Sequence, residues 1–148
     1  MAAAEKAGVP LNVFHNRRWD ADIQTLAAVL DSAELGELWS VESRMDQANA
    51  ATLQVGPDAG LLRDLGSHLV DQMLWLLGPA RTVYAELDHA ELDHVEPAGG
   101  RTDTRFAAAL RGDGDFPVPA AQAVHTLEVL DAARISAAEN RVVDLPSP

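Results

Sequence analysis

Not one of the 148 residues of this chain is a cysteine. That excludes disulfides, thiolate metal sites and a cysteine nucleophile together, while saying little about compartment. Basic charge is scarce as well: 11 Lys+Arg stand against 23 Asp+Glu, a formal net charge of −12. Such a surface repels a phosphate backbone, so nucleic acid is not an expected partner. Lysine is reduced to Lys6, against ten arginines. Long hydrophobic runs are missing too. The start, Met1 to Gly8, has no apolar signal-peptide core. No stretch approaches the roughly 20 apolar residues of a membrane span, so no membrane role and a cytoplasmic address are expected. Finally, the chain has no Gly-x-Gly-x-x-Gly turn, no Gly-x-x-x-x-Gly-Lys-Ser/Thr loop and no Gly-x-Ser-x-Gly elbow. It therefore lacks the usual backbone cradles for a nucleotide and the usual serine nucleophile.

What is present reads as one globular domain. The apolar fraction, 47%, is enough for a single core and argues against disorder. Residues 2–7 read as a helix stopped by Gly8 and Pro10. Val9 to Phe14 reads as a short buried strand, ending in the polar cluster His15-Asn16-Arg17-Arg18. Asp20 is a good N-cap for a helix to about Ser32, with Ile23, Leu26, Ala27 and Leu30 on one face. Leu38 to Asp46 alternates apolar and polar residues, the pattern of a strand with one wet face. Gln47 to Pro57 is a loop. Asp58 can cap a helix that ends at the stop signal Gly78-Pro79. Its core face is Leu61, Leu65, Leu69, Met73, Leu76 and Leu77. Thr82 to Leu87 and Thr104 to Leu110 read as further strands. A last helix starts near Pro119, with Ala123, Leu127, Leu130 and Ala133 as its apolar face.

Chemistry concentrates in the run from Gly60 to Gln72. Helix positions four and seven apart share a face, so Asp64, His68 and Asp71 line up, with Trp75 continuing the stripe. Carboxylates flanking an imidazole can orient it and shift it toward a working pKa, which suits His68 to general acid/base work. The plain alternative is an i, i+4 Asp–His pair on a half-exposed face. Gly66, mid-helix, costs about 1 kcal/mol against alanine, so something is expected to approach the backbone there. His15 to Arg18 sits at a strand's end, where α/β proteins present ligand-binding groups, although a surface turn serves equally well as an explanation. His89 and His94, beside Asp88 and Asp93, have metal-binding chemistry. Their five-residue spacing sends them to opposite faces of a strand, which favours a solvated acidic turn. A metal-dependent hydrolase built on His68, Asp64 and Asp71 ranks last, because a trio on one helix face makes a poor cage, and no metal is expected.

Three of these blocks resemble the Gfo/Idh/MocA oxidoreductase family. Val9 to Asp20 is similar to the family's crossover from cofactor domain to substrate domain. Gly60 to Gly78 is similar to its Asp-x-x-x-His helix, and Phe116 to Leu145 to its closing helix. The resemblance implies an α+β fold: a small open, mostly antiparallel sheet of three to four strands with about three helices, a cut-down form of the family's C-terminal domain. Residues 1–19 would be the end of a Rossmann domain and the crossover, and residues 20–148 a truncated substrate and dimerisation domain. Two departures stand out. The family's cofactor half, on the order of 100 residues by domain size, would precede Gly8. Its Glu-Lys-Pro lysine also belongs there, and Lys6, followed by Ala7-Gly8, is not that lysine. Between Arg111 and Phe116 the chain passes straight to the closing helix, where the family continues its sheet.

By the same resemblance His68 corresponds to the proton-transferring histidine and Asp64 to its partner carboxylate. Asn16, Arg17, Trp19 and Asp71 would lie near the cleft between cofactor and substrate. The implied activity is NAD(P)-dependent oxidation or reduction of sugars or polyols, with NAD or NADP as cofactor by resemblance only. Neither nucleotide is expected to bind this chain alone, so the isolated chain is expected to be inactive. The alternative is a non-catalytic dimerisation or interaction module, a remnant of such an enzyme. Expected partners are a second copy or a related full-length subunit, and a small polyol or sugar.

Overall fold

Two helices carry the core, and each ends on a residue that can adopt a positive φ. The structure is a computed structural model describing residues 2–45, 60–87, 108–115 and 118–146. In chain order the described elements begin with helix α1 (Ala2–Ala7), a 3₁₀ turn (Asn16–Trp19) and α2 (Ala21–Asp31). Helix α3 (Leu61–Leu77), strand β1 (Thr82–Val83), α4 (Ala120–Glu139) and strand β2 (Val143–Asp144) follow. The fold class is α+β: five helices, counting the 3₁₀ turn, and a small antiparallel sheet. Thr82 pairs with Asp144 and Val83 with Val143. These are the two strands among the described residues.

Helix α3 stops at Gly78, whose φ of 88° no ordinary side chain adopts readily. Helix α4 stops at Asn140 in the left-handed region, φ 51° and ψ 48°. Its last turn is stapled to the sheet by Ser136. The hydroxyl donates to the Arg141 carbonyl at 2.6 Å and accepts the Ala85 N–H at 3.0 Å. α3 packs along α4, and both strands pack against α4.

The α3–α4 contact is built on small residues. The buried face of α4 is Ala123, Thr126, Val129, Leu130, Ala132, Ala133 and Ser136. On α3 the fully buried residues are Leu65, Asp71 and Gln72. Gly66 sits at the closest approach: a methyl placed there would meet Leu62 Cδ1 at 3.1 Å and Leu130 Cδ2 at 3.7 Å. The expected visitor to the Gly66 backbone is thus the neighbouring helix. Leu65 and Leu130 each contribute about 2 kcal/mol by leaving water.

Several local expectations are corrected. Val9 to Phe14 is no buried strand: Val9, Leu11 and Phe14 are exposed, and its ladder is one isolated bridge, Asn12 to Pro119. Leu38 to Met45 is not a strand either, and Trp39 is 89% exposed. Alternation describes which side chains share a face, but a strand also needs a partner for its N–H and C=O groups, which this segment does not find among the described residues. The N-cap of α3 is Gly60, φ 115°, rather than Asp58, which lies outside the described residues. Residues 108–110 form a helical turn, not the end of a strand, and residues 104–107 lie outside. On α4 Ala123, Leu130 and Ala133 are buried as expected, but Leu127 is 58% exposed and its neighbour Thr126 is buried instead. The His89/His94 repeat and the 47–57 loop lie outside the described residues as well.

Candidate active site

The 3₁₀ turn is clamped onto α3 by a buried ion pair. Arg18 Nε donates to Asp71 Oδ2 and Arg18 Nη2 to Asp71 Oδ1, both at 2.6 Å. The two residues are 3% and 1% exposed. A bidentate pair at this distance is the strong form of a charge-assisted hydrogen bond. Helix α4 completes the shell. Gln122 Oε1 accepts from Arg18 Nη1 at 2.7 Å, and Thr126 Oγ1 donates to Asp71 Oδ1 at 3.3 Å. The turn's carbonyls are also held: Gln72 Nε2 donates to Arg17 O at 2.9 Å, and Gln24 Nε2 to Arg18 O at 2.7 Å. Turn, α2, α3 and α4 thus meet around one carboxylate.

This arrangement consumes Asp71. The sequence places Asp71 beside His68 on a cleft-facing stripe, but its oxygens go to Arg18 and Thr126, and its side chain is sealed from solvent. Asp64, four residues before His68, makes no hydrogen bond or ion pair with it among the described residues. The i, i+4 Asp–His pair is therefore not formed, and Asp64 acts on His68 only through its charge.

His68 is half-buried on α3, and its Nδ1 is buried with no hydrogen-bond partner. Its neighbour is a second imidazole. His15, buried just ahead of the turn, packs edge-on against it with ring centroids 5.9 Å apart and planes at 85°. His15 Nε2 lies 3.8 Å from Asp71 Oδ1. Burial holds the His68 pKa below the ordinary imidazole value, and the Arg17 guanidinium and His15 lower it further. Asp64 and Asp71 pull the other way without prevailing. The His15 pKa is lowered as well, by burial first and by Arg18 in lesser part, against the pull of Asp71. Both rings are therefore neutral near pH 7, each with one nitrogen able to accept a proton.

The other expected cleft residues gather here too. Asn16 and Arg17 are half-buried on the turn, and Arg17 pairs loosely with Asp20 at 3.7 Å. Trp19 lies against Trp75, ring centroids 6.1 Å apart at 55°, one helical stripe along from His68. What sequence reasoning missed is the pairing of Arg18 with Asp71, 53 residues apart, and the parts played by His15, Gln122 and Thr126. The available signal was polar residues set into otherwise apolar helix faces, Gln72 on α3 and Thr126 on α4. Among the described residues no group of three or more His, Asp and Glu side chains could hold a metal ion.

The site is thus a half-buried histidine set beside a second imidazole over a buried ion pair, within an α+β domain. The GFO/IDH/MocA C-terminal domain model matches residues 23–131, and the chain belongs to that family. Among curated relatives it is 42% identical over 82 residues to the uncharacterised oxidoreductase YdgJ of Escherichia coli, covering 52% of this chain and 24% of that protein. It is 33% identical over 90 residues to the NADP(+) scyllo-inositol 2-dehydrogenase IolW of Bacillus subtilis, covering 57% and 25%. With D-apiose dehydrogenase of Rhizobium rhizogenes the match runs to 129 residues at 30% identity, covering 76% and 37%. The chain thus spans about a quarter of the length of the first two relatives. Among solved structures, the WlbA dehydrogenase of Bordetella pertussis, in complex with NADH and UDP-GlcNAcA, superposes with a TM-score of 0.72. That match covers 99% of this chain and 66% of WlbA at 18% identity, which shows the shared fold.

Proposed function

We propose that this chain is the substrate side of an NAD(P)-dependent sugar or polyol dehydrogenase, with His68 as the group that accepts or returns the proton of a substrate hydroxyl. One observation carries the reading: His68 is neutral, half-buried and without an ion pair among the described residues, with Nδ1 unpartnered. A buried polar atom without a partner calls for an explanation, and a proton-transfer role supplies one. A general base must be unprotonated at working pH and within reach of a hydroxyl, and a neutral imidazole on a rigid helix meets the first requirement. The family match and the dehydrogenases among its relatives support the substrate class. Asn16, Arg17 and Trp19 would line the cleft around it, and Asp64 would act as a distant charge.

The residues present do not fit a dinucleotide. No strand followed by a Gly-rich turn and a helix occurs in the 148-residue sequence, so a nicotinamide would have to be held by residues outside it. In this proposal residues 1–19 lead in from that cofactor-binding part, and residues 20–148 form the substrate and association domain. By itself the 148-residue chain is expected to bind neither NAD nor NADP at micromolar concentration. A one-to-one nicotinamide complex in calorimetric titration would overturn this. The substrate reading is tested by following the histidine imidazole signals by NMR while scyllo-inositol or D-apiose is added. A saturable shift at His68 that His125, on α4, does not share is expected. Silence at His68 up to high millimolar sugar would sink the assignment.

A second reading has its own support. Leu35, Leu38, Trp39 and Val41 form an exposed apolar run. Surfaces of this kind mark contacts with other chains. On that reading the chain is an interaction module that pairs with a second copy or a related full-length subunit without turnover. Sedimentation velocity separates the two. A concentration-dependent dimer lost in Trp39→Ser, together with no polyol response at His68, would favour the module over the enzyme.

A further inference from the structure

We infer that His15 is the positioning residue for His68, acting as its edge-on partner from within the Arg18–Asp71 clamp. The inference deepens the proposed role of His68 and rests on it for its functional meaning.

The route runs through four fixed points. Arg18 takes both Asp71 oxygens, and Gln122 takes the remaining guanidinium edge, so the turn cannot slide along α3. Gln72 and Gln24 hold the carbonyls of Arg17 and Arg18. His15 immediately precedes this clamped turn, which fixes its backbone. Its ring then fills the space between Asp71 Oδ1, 3.8 Å from Nε2, and the His68 ring, 5.9 Å away at 85°. An edge-to-face aromatic contact restricts both rings to a narrow set of orientations. Asp71, the second carboxylate that spacing sets beside His68, thus has His15 as its imidazole neighbour and acts on His68 by its charge.

A second consequence is electrical. The groups facing His68 are Asp64 and Asp71 from α3, and Arg17 and His15 from the turn and the residue before it. Those facing His15 are Asp71 and Arg18. Around the clamp α2 contributes the neutral Gln24, and α4 the neutral Gln122 and Thr126. Asp71 is shared with Arg18 and Asp64 makes no hydrogen bond to His68, so the two carboxylates only partly offset the repulsion of two imidazolium charges this close. Protonating one ring therefore opposes protonating the other, and the pair titrates as a unit.

The test is an NMR titration of the imidazole Cε1–H signals in the intact chain. Expected in the wild type are curves for His15 and His68 with slopes below one and shared inflections. In His15→Phe, which keeps an aromatic ring and removes the titrating group, His68 should revert to a simple single step. A merely space-filling His15 would leave the slope unchanged. Should His15→Phe not fold, His68→Phe reads the same coupling from the other side, with His15 becoming a single step. Independent single-step curves for both rings in the wild type would overturn the inference. The outcomes stay separable from the function itself. Coupled rings with no polyol response at His68 would sink the dehydrogenase reading and leave the dyad standing.

Discussion

Removing the Asp71 carboxylate should be the most damaging single change of charge in this chain. Asp71→Asn keeps the shape but offers Arg18 one acceptor oxygen in place of two, and it turns an amide N–H toward the guanidinium. The guanidinium is 3% exposed and retains Gln122 Oε1 and the one amide oxygen as acceptors, both uncharged. Breaking a buried pair in this way costs about 3–5 kcal/mol, because one charge is left uncompensated out of water. A domain of this size is stable by about 5–15 kcal/mol, so the loss is roughly a fifth of the total at the least and can approach the whole of it. The melting point should fall by something on the order of 10 °C. Exposed pairs give the contrast. Arg111–Asp113 and Arg141–Glu139 are more than half exposed on both sides, and such pairs contribute about 0–1 kcal/mol. Urea unfolding of Asp71→Asn, Asp113→Asn and the double variant Arg18→Met/Asp71→Leu would check the argument. The double variant should be less destabilised than Asp71→Asn, since it removes both charges from the core. If Asp71→Asn lies within about 1 kcal/mol of the wild type, the clamp does not hold the turn as argued.

Further expected outcomes follow from the same geometry. Gly66→Ala should be neutral to stabilising by up to about 1 kcal/mol, because alanine is the better helix former and the atom in its way is the free end of the half-buried Leu62. Gly66→Leu should destabilise by more than that through collision with Leu130, and urea midpoints compare the two. Stability should fall as pH drops through the ordinary histidine value of 6.5, since His15 and His68 both have lowered folded-state pKa values. In that window the unfolded chain binds more protons, so the stabilisation is full above it and is lost on acidification. Thermal unfolding between pH 5 and 8 should show this slope, and His15→Phe should flatten it; a stability that rises toward pH 5 would refute the burial argument. Trp39 should carry the readily quenched tryptophan fluorescence, because Trp19 and Trp75 are packed against each other. Acrylamide quenching that is unchanged in Trp39→Phe would mean that this side chain is covered.

How far the sequence foretold the structure depended on whether a feature was local. Helices α2, α3 and α4 were legible because their apolar spacing, and for α3 the stop signal Gly78-Pro79, lie within one element. The strands were legible only in part: Thr82 to Leu87 is a strand at Thr82–Val83, but its partner Val143–Asp144 was not foreseen. Leu38 to Met45 has the alternation of a strand but lacks the ladder partner that would make it one among the described residues. On α4 the expected Ala123, Leu130 and Ala133 are buried, and only Leu127 is not. Thr126 turns inward in its stead, where its hydroxyl donates to Asp71. Arginine is rarely buried, and nothing in a linear reading joins Arg18 to a carboxylate 53 residues on. At the site, spacing correctly put Asp64, His68 and Asp71 on one helix but not the partners that decide what each of them does.

Those partners explain why His68 can be a base at all. An imidazole beside a free carboxylate is drawn toward its protonated form, and a protonated histidine cannot take a proton from a hydroxyl. On α3 Asp71 is shared with Arg18, and Asp64 makes no hydrogen bond or ion pair with the ring among the described residues. Both carboxylates still pull His68 toward its charged form, but burial outweighs them, with Arg17 and His15 adding to it in the same direction. The ion pair that fastens the turn to α3 supports this indirectly, because it fixes the turn that carries Arg17 and the residue before it, His15. Stability and basicity are coupled through that turn, because the contact that secures it also holds the two groups that help burial keep the histidine neutral.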